Sequence, residues 1–294
     1  MSNKPRIAFC FSWQARTLDQ TYIFFQKNLF DAAKEQWFDY DIFCAVEDDE
    51  DVDKVKLLNP TKVEKIKSSE VEKIISSKYK EFIEEKINKD YFWHQTSNDT
   101  VINALQQFYK IKKSIVLIWD TAYDIVIRLR FDSLYLRKFN FLNIKSVLQN
   151  NNTIICNKID YLNRSSKIFF WSNSRYIEDF HFIGNSKSIA YLKNIFDDFK
   201  FAFEWFEMNF LKKIPHFIWL KNTGSKIPLL RKFWNFQYII LKFCTQRFIP
   251  ESVIYLYLKK KNVNLILDHI PIIILKNDIE KSIISLGNSK QFSF

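Results

Sequence analysis

The sequence predicts an α/β fold, a sheet flanked by helices, and three observations lead there. The amino end runs strand, loop, helix, strand, the order with which nucleotide-binding α/β domains begin. Residues Tyr123 to Asp132 read Tyr-Asp-Ile-Val-Ile-Arg-Leu-Arg-Phe-Asp, an apolar strand that ends on two arginines and a carboxylate. A buried strand that stops on charged groups delivers them to the edge of a sheet, where α/β proteins bind ligands. With 294 residues the chain can also bury a sizeable core as one domain.

In chain order, Arg6–Phe11 is a continuous apolar run and predicts the first strand, followed by the polar loop Ser12–Thr17. Tyr22–Lys34 has helical spacing, with Phe24, Phe25, Leu29 and Ala32 or Ala33 on one side. Asp39–Val46 is a second strand ending at an acidic run, Lys62–Lys67 a short third, and Ser69–Ile87 a charged amphipathic helix. Asn98 suits the cap of a helix through Leu105, Phe108, Ile111 and Ile115 that leads into the Tyr123–Arg128 strand. Thr153–Cys156, Lys167–Trp171 and Phe180–Ile183 read as short strands, and Ser186 opens a helix through Phe196. Pro250-Glu251 begins a helix, with proline in the first turn, where its missing N–H is harmless. Asn264–Leu267 and Pro271–Leu275 are closing strands, while Phe199–Phe248, interrupted by Pro215 and Pro228, follows no clean period.

Composition excludes several classes. Glycine occurs only at 184, 224 and 287, so a P-loop, a dinucleotide fingerprint and a glycine-rich kinase loop are absent. A nucleotide would be gripped by side chains and strand ends instead. Cys10, Cys44, Cys156 and Cys244 show no metal-ligand spacing and read as reduced core thiols of a cytoplasmic protein. No secretory leader or run of membrane-spanning length stands out. The net charge of +11 is uneven: Lys and Arg far outnumber acids over Ser186–Lys261. There they are interleaved with Trp205, Trp219, Trp234 and Tyr238, a composition that suits peripheral contact with an anionic membrane face as well as a solvated basic surface over an aromatic core.

Four groups of residues can carry chemistry. Gln14 and Arg16 follow the first strand and can bind a base or a diphosphate. Strand alternation puts Arg128 and Arg130 on one face, with Asp132 two positions on. Guanidiniums grip phosphate bidentately, and a carboxylate beside them can hold a divalent cation that bridges a diphosphate; the plainer reading of Arg128 is an ion pair with Asp124 or Asp120. Asp179, with Glu178 second, precedes an apolar run and is the candidate base for taking a proton from an acceptor hydroxyl. His181 sits between Phe180 and Phe182 and reads as a satisfied, half-buried histidine; His94 and His216 are isolated, and no cluster supports zinc. Glu251 heads the last helix, where it complements the helix dipole or meets an acceptor.

The motifs Ser12-Trp-Gln-Ala-Arg16, Asp41-Ile-Phe43, Gln106-Gln-Phe-Tyr109, Tyr123–Asp132, Asp179–Gly184 and Pro250-Glu251 appear in an order that resembles a family of bacterial and large-virus glycosyltransferases of surface polysaccharide synthesis. In that family's pattern, glycine stands at the position of Trp13 and proline at that of Phe131. The resemblance implies a GT-A-like, Rossmann-type nucleotide-sugar-binding sheet over residues 1–185. A mostly helical, basic region, 186–294, would complete the domain and face the acceptor or a membrane. It also implies a hexosyl- or pentosyltransferase that takes a nucleoside diphosphate sugar to a glycan or lipid-linked acceptor. Ser12, Gln14, Arg16, Arg128, Arg130 and Asp132 would bind the donor, Asp132 would hold Mn²⁺ or Mg²⁺ where a cation is used, Asp179 and Glu178 would serve catalysis, and Glu251 the acceptor. The rival readings are a nucleic-acid-binding protein that uses the basic, aromatic surface, and a catalytically inactive relative serving as an assembly subunit.

Overall fold

The computed structural model describes residues 4–87, 98–118, 122–149, 152–158, 177–204, 250–268 and 272–274. They form β1 (Arg6–Trp13), α1 (Leu18–Phe25), α2 (Asp31–Glu35), β2 (Asp39–Glu47), β3 (Lys62–Ile66), α3 (Ser68–Ile87), α4 (Asn98–Val116) and β4 (Ile125–Arg130). After these come β5 (Ser133–Tyr135), α5 (Phe141–Val147), β6 (Thr153–Lys158), β7 (Ile177–Gly184), α6 (Ser186–Asn194), α7 (Pro250–Lys260), β8 (Asn264–Asp268) and β9 (Ile272–Ile274). The strand candidate Lys167–Trp171 and the aromatics from Trp205 to Tyr238 lie outside the described residues, as do Asp120, His94, His216 and Cys244.

Seven strands make one sheet in the order β3-β2-β1-β4-β7-β6-β8, and β5 pairs with β9 in a second, two-stranded sheet. Within the large sheet β7 runs antiparallel to its neighbours β4 and β6, and the other pairings are parallel. The fold is therefore α/β with a mostly parallel sheet flanked by helices. Such a sheet is covered on both faces, which explains why β1 is continuously apolar from Ile7 to Phe11 instead of alternating. Ala8, Cys10 and Val126 face a layer built from α3, α4, α6 and α7. Ile7, Phe9, Phe11, Ile125 and Ile127 face a second layer with Phe25, Leu29, Phe30 and Phe141. β8 joins the sheet beside β6, and Val253, Tyr257 and Leu258 of α7 enter the same core, so the carboxyl-terminal elements complete this sheet.

Several boundaries differ from the sequence reading. β1 continues through Ser12 and Trp13, because both pair with β2, which places these two residues in a strand and not in the loop after it. The first helix starts earlier, at Leu18, and passes through a π turn at Gln26–Phe30. That extra residue keeps Phe25 and both Leu29 and Phe30 on the buried side. β7 begins at Ile177, so Glu178 and Asp179 lie within a strand and do not precede one. β5 and α5 were not expected: three-residue strands carry almost no periodic signal, and α5 depends on the Asn140 side chain accepting from Asn143 N at its cap. Gly184 closes β7 against α6, where a Cβ would lie 2.5 Å from Ser188 Oγ and 2.9 Å from Ile189 Cγ1.

Candidate functional site

The strand order reverses between β1 and β4: β2 and β3 extend to one side of β1, and β4 continues on the other. In open α/β sheets the crevice at such a reversal, beyond the carboxyl ends of the strands, is where ligands bind. Ser12 of β1 pairs in register with Arg130 of β4, and Trp13 pairs with Val46 of β2. The sequence-predicted donor residues therefore meet at the reversal.

Arg128 is wholly buried and donates from Nε and Nη2 to Ser12 Oγ, at 3.3 and 3.1 Å. The expected ion pair with Asp124 gives way to other partners for that acid: Asp124 accepts from Arg6 N at 2.9 Å and lies 3.1 Å from Lys145. Arg130, next on the same face of β4, grips Asp132 bidentately, Nε to Oδ1 at 2.9 Å and Nη2 to Oδ2 at 2.6 Å. Asp132 is 2% exposed and Arg130 15%, so Arg130 is the more open of the two arginines. A turn at Phe131 folds Asp132 back onto it. Phe131 stacks on Phe11 with centroids 5.4 Å apart, and its carbonyl accepts from Thr21 Oγ1 at 2.6 Å, which anchors that turn to the core.

Beside this pair stands a second one that sequence reading missed. Lys110, from the middle of α4, reaches Glu47 at the end of β2 at 2.7 Å, with only 5% and 15% of the two side chains exposed. Burial pushes the Glu47 carboxyl up, but hydrogen bonds from Lys110, Ser68 and Gln14 outweigh it and hold the group below its ordinary range. Trp13 touches both pairs. Its ring has Arg130 Cζ at 4.7 Å and Lys110 Nζ at 4.7 Å from its centre, two cation–π contacts. A Lys in the middle of an amphipathic helix gives no sequence signal for such a partnership.

Gln14 and Arg16 line a cleft of about 370 Å³ with Asp49, Glu50 and Asp51. Three residues of the acidic run that follows β2 thus line the same cleft. Burial, together with the neighbouring Glu47, Asp51 and Glu50, raises the Asp49 carboxyl above its usual range despite a hydrogen bond from the backbone of Asp51. A cleft with a guanidinium, an amide and three carboxyl groups suits a hydrogen-bonding, polyhydroxylated ligand.

The antiparallel direction of β7, with Phe182 opposite Arg128, carries Glu178 and Asp179 toward the edge where β1 and β4 end. Glu251 lies in the first turn of α7. His181, further along β7, is wholly buried, not half-buried, with Nδ1 2.9 Å from Tyr135 Oη. Its Nε2 has no hydrogen-bond partner among the described residues. Burial first, and then the Arg128 charge, pull its pKa down to about 3, so the ring is neutral.

Whether a divalent cation fits can be tested on Asp132. Both of its oxygens are committed to Arg130, and no three His, Cys, Asp or Glu side chains converge among the described residues. As arranged, this donor set does not fit a hard cation, which takes six or more oxygen ligands. No described helix is long and apolar enough to cross a membrane.

No protein-family model matches the chain, and no curated protein matches it. Among solved structures, mouse xyloside xylosyltransferase 1 in its apo form gives a TM-score of 0.42 at 7% identity, over 90% of this chain and 84% of that one. The galactosyltransferase LgtC in complex with donor and acceptor sugar analogs gives 0.34 at 13% identity, over 69% of this chain and 64% of that one. At these scores the likeness carries no weight as to function.

Proposed function

We propose that the chain is a glycosyltransferase that moves a hexosyl or pentosyl group from a nucleoside diphosphate sugar to a glycan or lipid-linked acceptor in surface polysaccharide synthesis. The observation that supports this reading is the meeting of Arg130, Ser12 and the Gln14–Arg16 cleft at the strand-order reversal. The nucleoside occupies the cleft against Gln14 and Arg16. Arg130 meets the diphosphate directly, and Arg128 supports it from below through Ser12 and through its field.

In the transfer, the bond from the anomeric carbon to the diphosphate oxygen breaks as the acceptor oxygen bonds to that carbon. The nucleoside diphosphate leaves with its charge met by the arginines, an electrostatic contribution that can replace a cation. Asp179 takes the acceptor proton, with Glu178 as the second candidate, and Glu251 orients the acceptor. Asp132 keeps Arg130 aimed, and no step passes through Mn²⁺ or Mg²⁺. Residues 1–185 carry donor binding, and 186–294 face the acceptor and, through their basic surface, an anionic membrane on the cytoplasmic side. A thermal-shift screen against UDP-, GDP-, CMP- and TDP-sugars tests the reading: one donor class raises the melting temperature with concentration. No shift with any donor would favour the inactive-subunit or the nucleic-acid-binding reading.

A further inference from the structure

Trp13 holds a backbone conformation that tryptophan rarely accepts. Its φ is 124°, in the region where a Cβ crowds the neighbouring peptide and which glycine enters freely. Residues kept in such conformations persist where the surroundings over-determine them, and they cluster at ligand clamps. Here the surroundings are two ion pairs, Lys110–Glu47 and Arg130–Asp132, whose cations each lie 4.7 Å from the centre of the ring. A glycine at this strand end would open the backbone to a phosphate, as phosphate-binding loops do. The indole fills that approach instead and brings two cations to its ring.

We infer that Trp13 is a positioning residue: a strained aromatic wedge that fixes Arg130 and Lys110 at the strand-order reversal, so that side-chain cations replace a backbone cradle for the donor's diphosphate. This rests on the nucleotide-sugar reading of the same site. Holding the cations in place beforehand lowers the ordering cost of binding, and the same wedge explains how a chain with three glycines can bind phosphate without a glycine loop.

The test is calorimetric titration of inorganic pyrophosphate and of UDP and GDP into the full chain and three variants, with melting temperatures recorded in parallel. Trp13→Gly relieves the backbone but removes the ring. Trp13→Asn also removes the ring and serves should the glycine variant fold poorly; at this φ, outside the left-handed helical region, only glycine relieves the backbone. Trp13→Phe keeps a ring. We expect the two ring-free variants to bind pyrophosphate about tenfold more weakly with an unchanged or raised melting temperature, and Trp13→Phe to stay within about threefold of the parent chain. Unchanged pyrophosphate affinity in the ring-free variants, or equal weakening by Phe, overturns the inference and leaves the donor site standing. A parent chain that binds neither pyrophosphate nor a nucleoside diphosphate overturns the donor site itself, and this inference with it.

Discussion

Asp132→Asn is the most informative single substitution, because it removes one charge from a pair that is almost entirely out of water. Asp132 is 2% exposed and receives two bonds from Arg130, at 2.9 and 2.6 Å. Breaking a buried pair by deleting one partner costs about 3–5 kcal/mol, chiefly the desolvation of the charge left behind. Arg130 retains 15% exposure, and Asn keeps one acceptor oxygen, so the lower end of that range, about 3 kcal/mol, is appropriate here. For a chain of this size that is a fall of roughly 5–12 °C in melting temperature, readable by differential scanning calorimetry. The double variant Arg130→Met, Asp132→Leu removes both charges and should lose less than Asp132→Asn alone. A melting temperature within about 2 °C of the parent for Asp132→Asn would show that Arg130 does not depend on Asp132. The account of how the edge is organised would then be wrong.

Two further outcomes follow from buried groups. His181 titrates near 6.5 in the unfolded chain and at about 3 when folded, so below pH 6.5 the unfolded state binds the extra proton. Stability therefore falls as pH drops from 6.5 toward 3, by about 2 kcal/mol at pH 5, and His181→Gln should flatten that slope in urea denaturation at pH 5 and 7. Burial raises the Cys10, Cys44 and Cys156 thiols well above their ordinary range, so iodoacetamide at pH 8 should label none of the three until the chain is unfolded, as read by peptide mass spectrometry.

The sheet was legible because its strands are buried on both faces. Runs such as Ile7–Phe11 have no polar interruption, the mark of a strand buried on both faces. The meeting of Ser12, Arg128 and Arg130 was legible for the same reason: charged residues at strand ends can go only to the sheet edge. What stayed hidden depends on distance in sequence. Lys110 and Glu47 are 63 positions apart, and nothing local in α4 marks one lysine among several as the buried one. Trp13 looked like a misplaced residue in a loop. β1 runs two residues further than its apolar run suggests, and neither the positive φ of Trp13 nor its two cations has a local sequence signal. β5 and β9 escaped recognition as a pair because each is three residues long.

The central claim is that the edge between β1 and β4 binds a nucleoside diphosphate sugar. The most direct measurement is calorimetric titration of UDP-, GDP-, CMP- and TDP-sugars into the full chain and into Arg130→Gln, each with and without Mn²⁺. The account predicts saturable binding of one nucleotide class, weakened about tenfold or more in Arg130→Gln and insensitive to Mn²⁺. Binding of no donor, or donor binding that Arg130→Gln leaves intact, would contradict it.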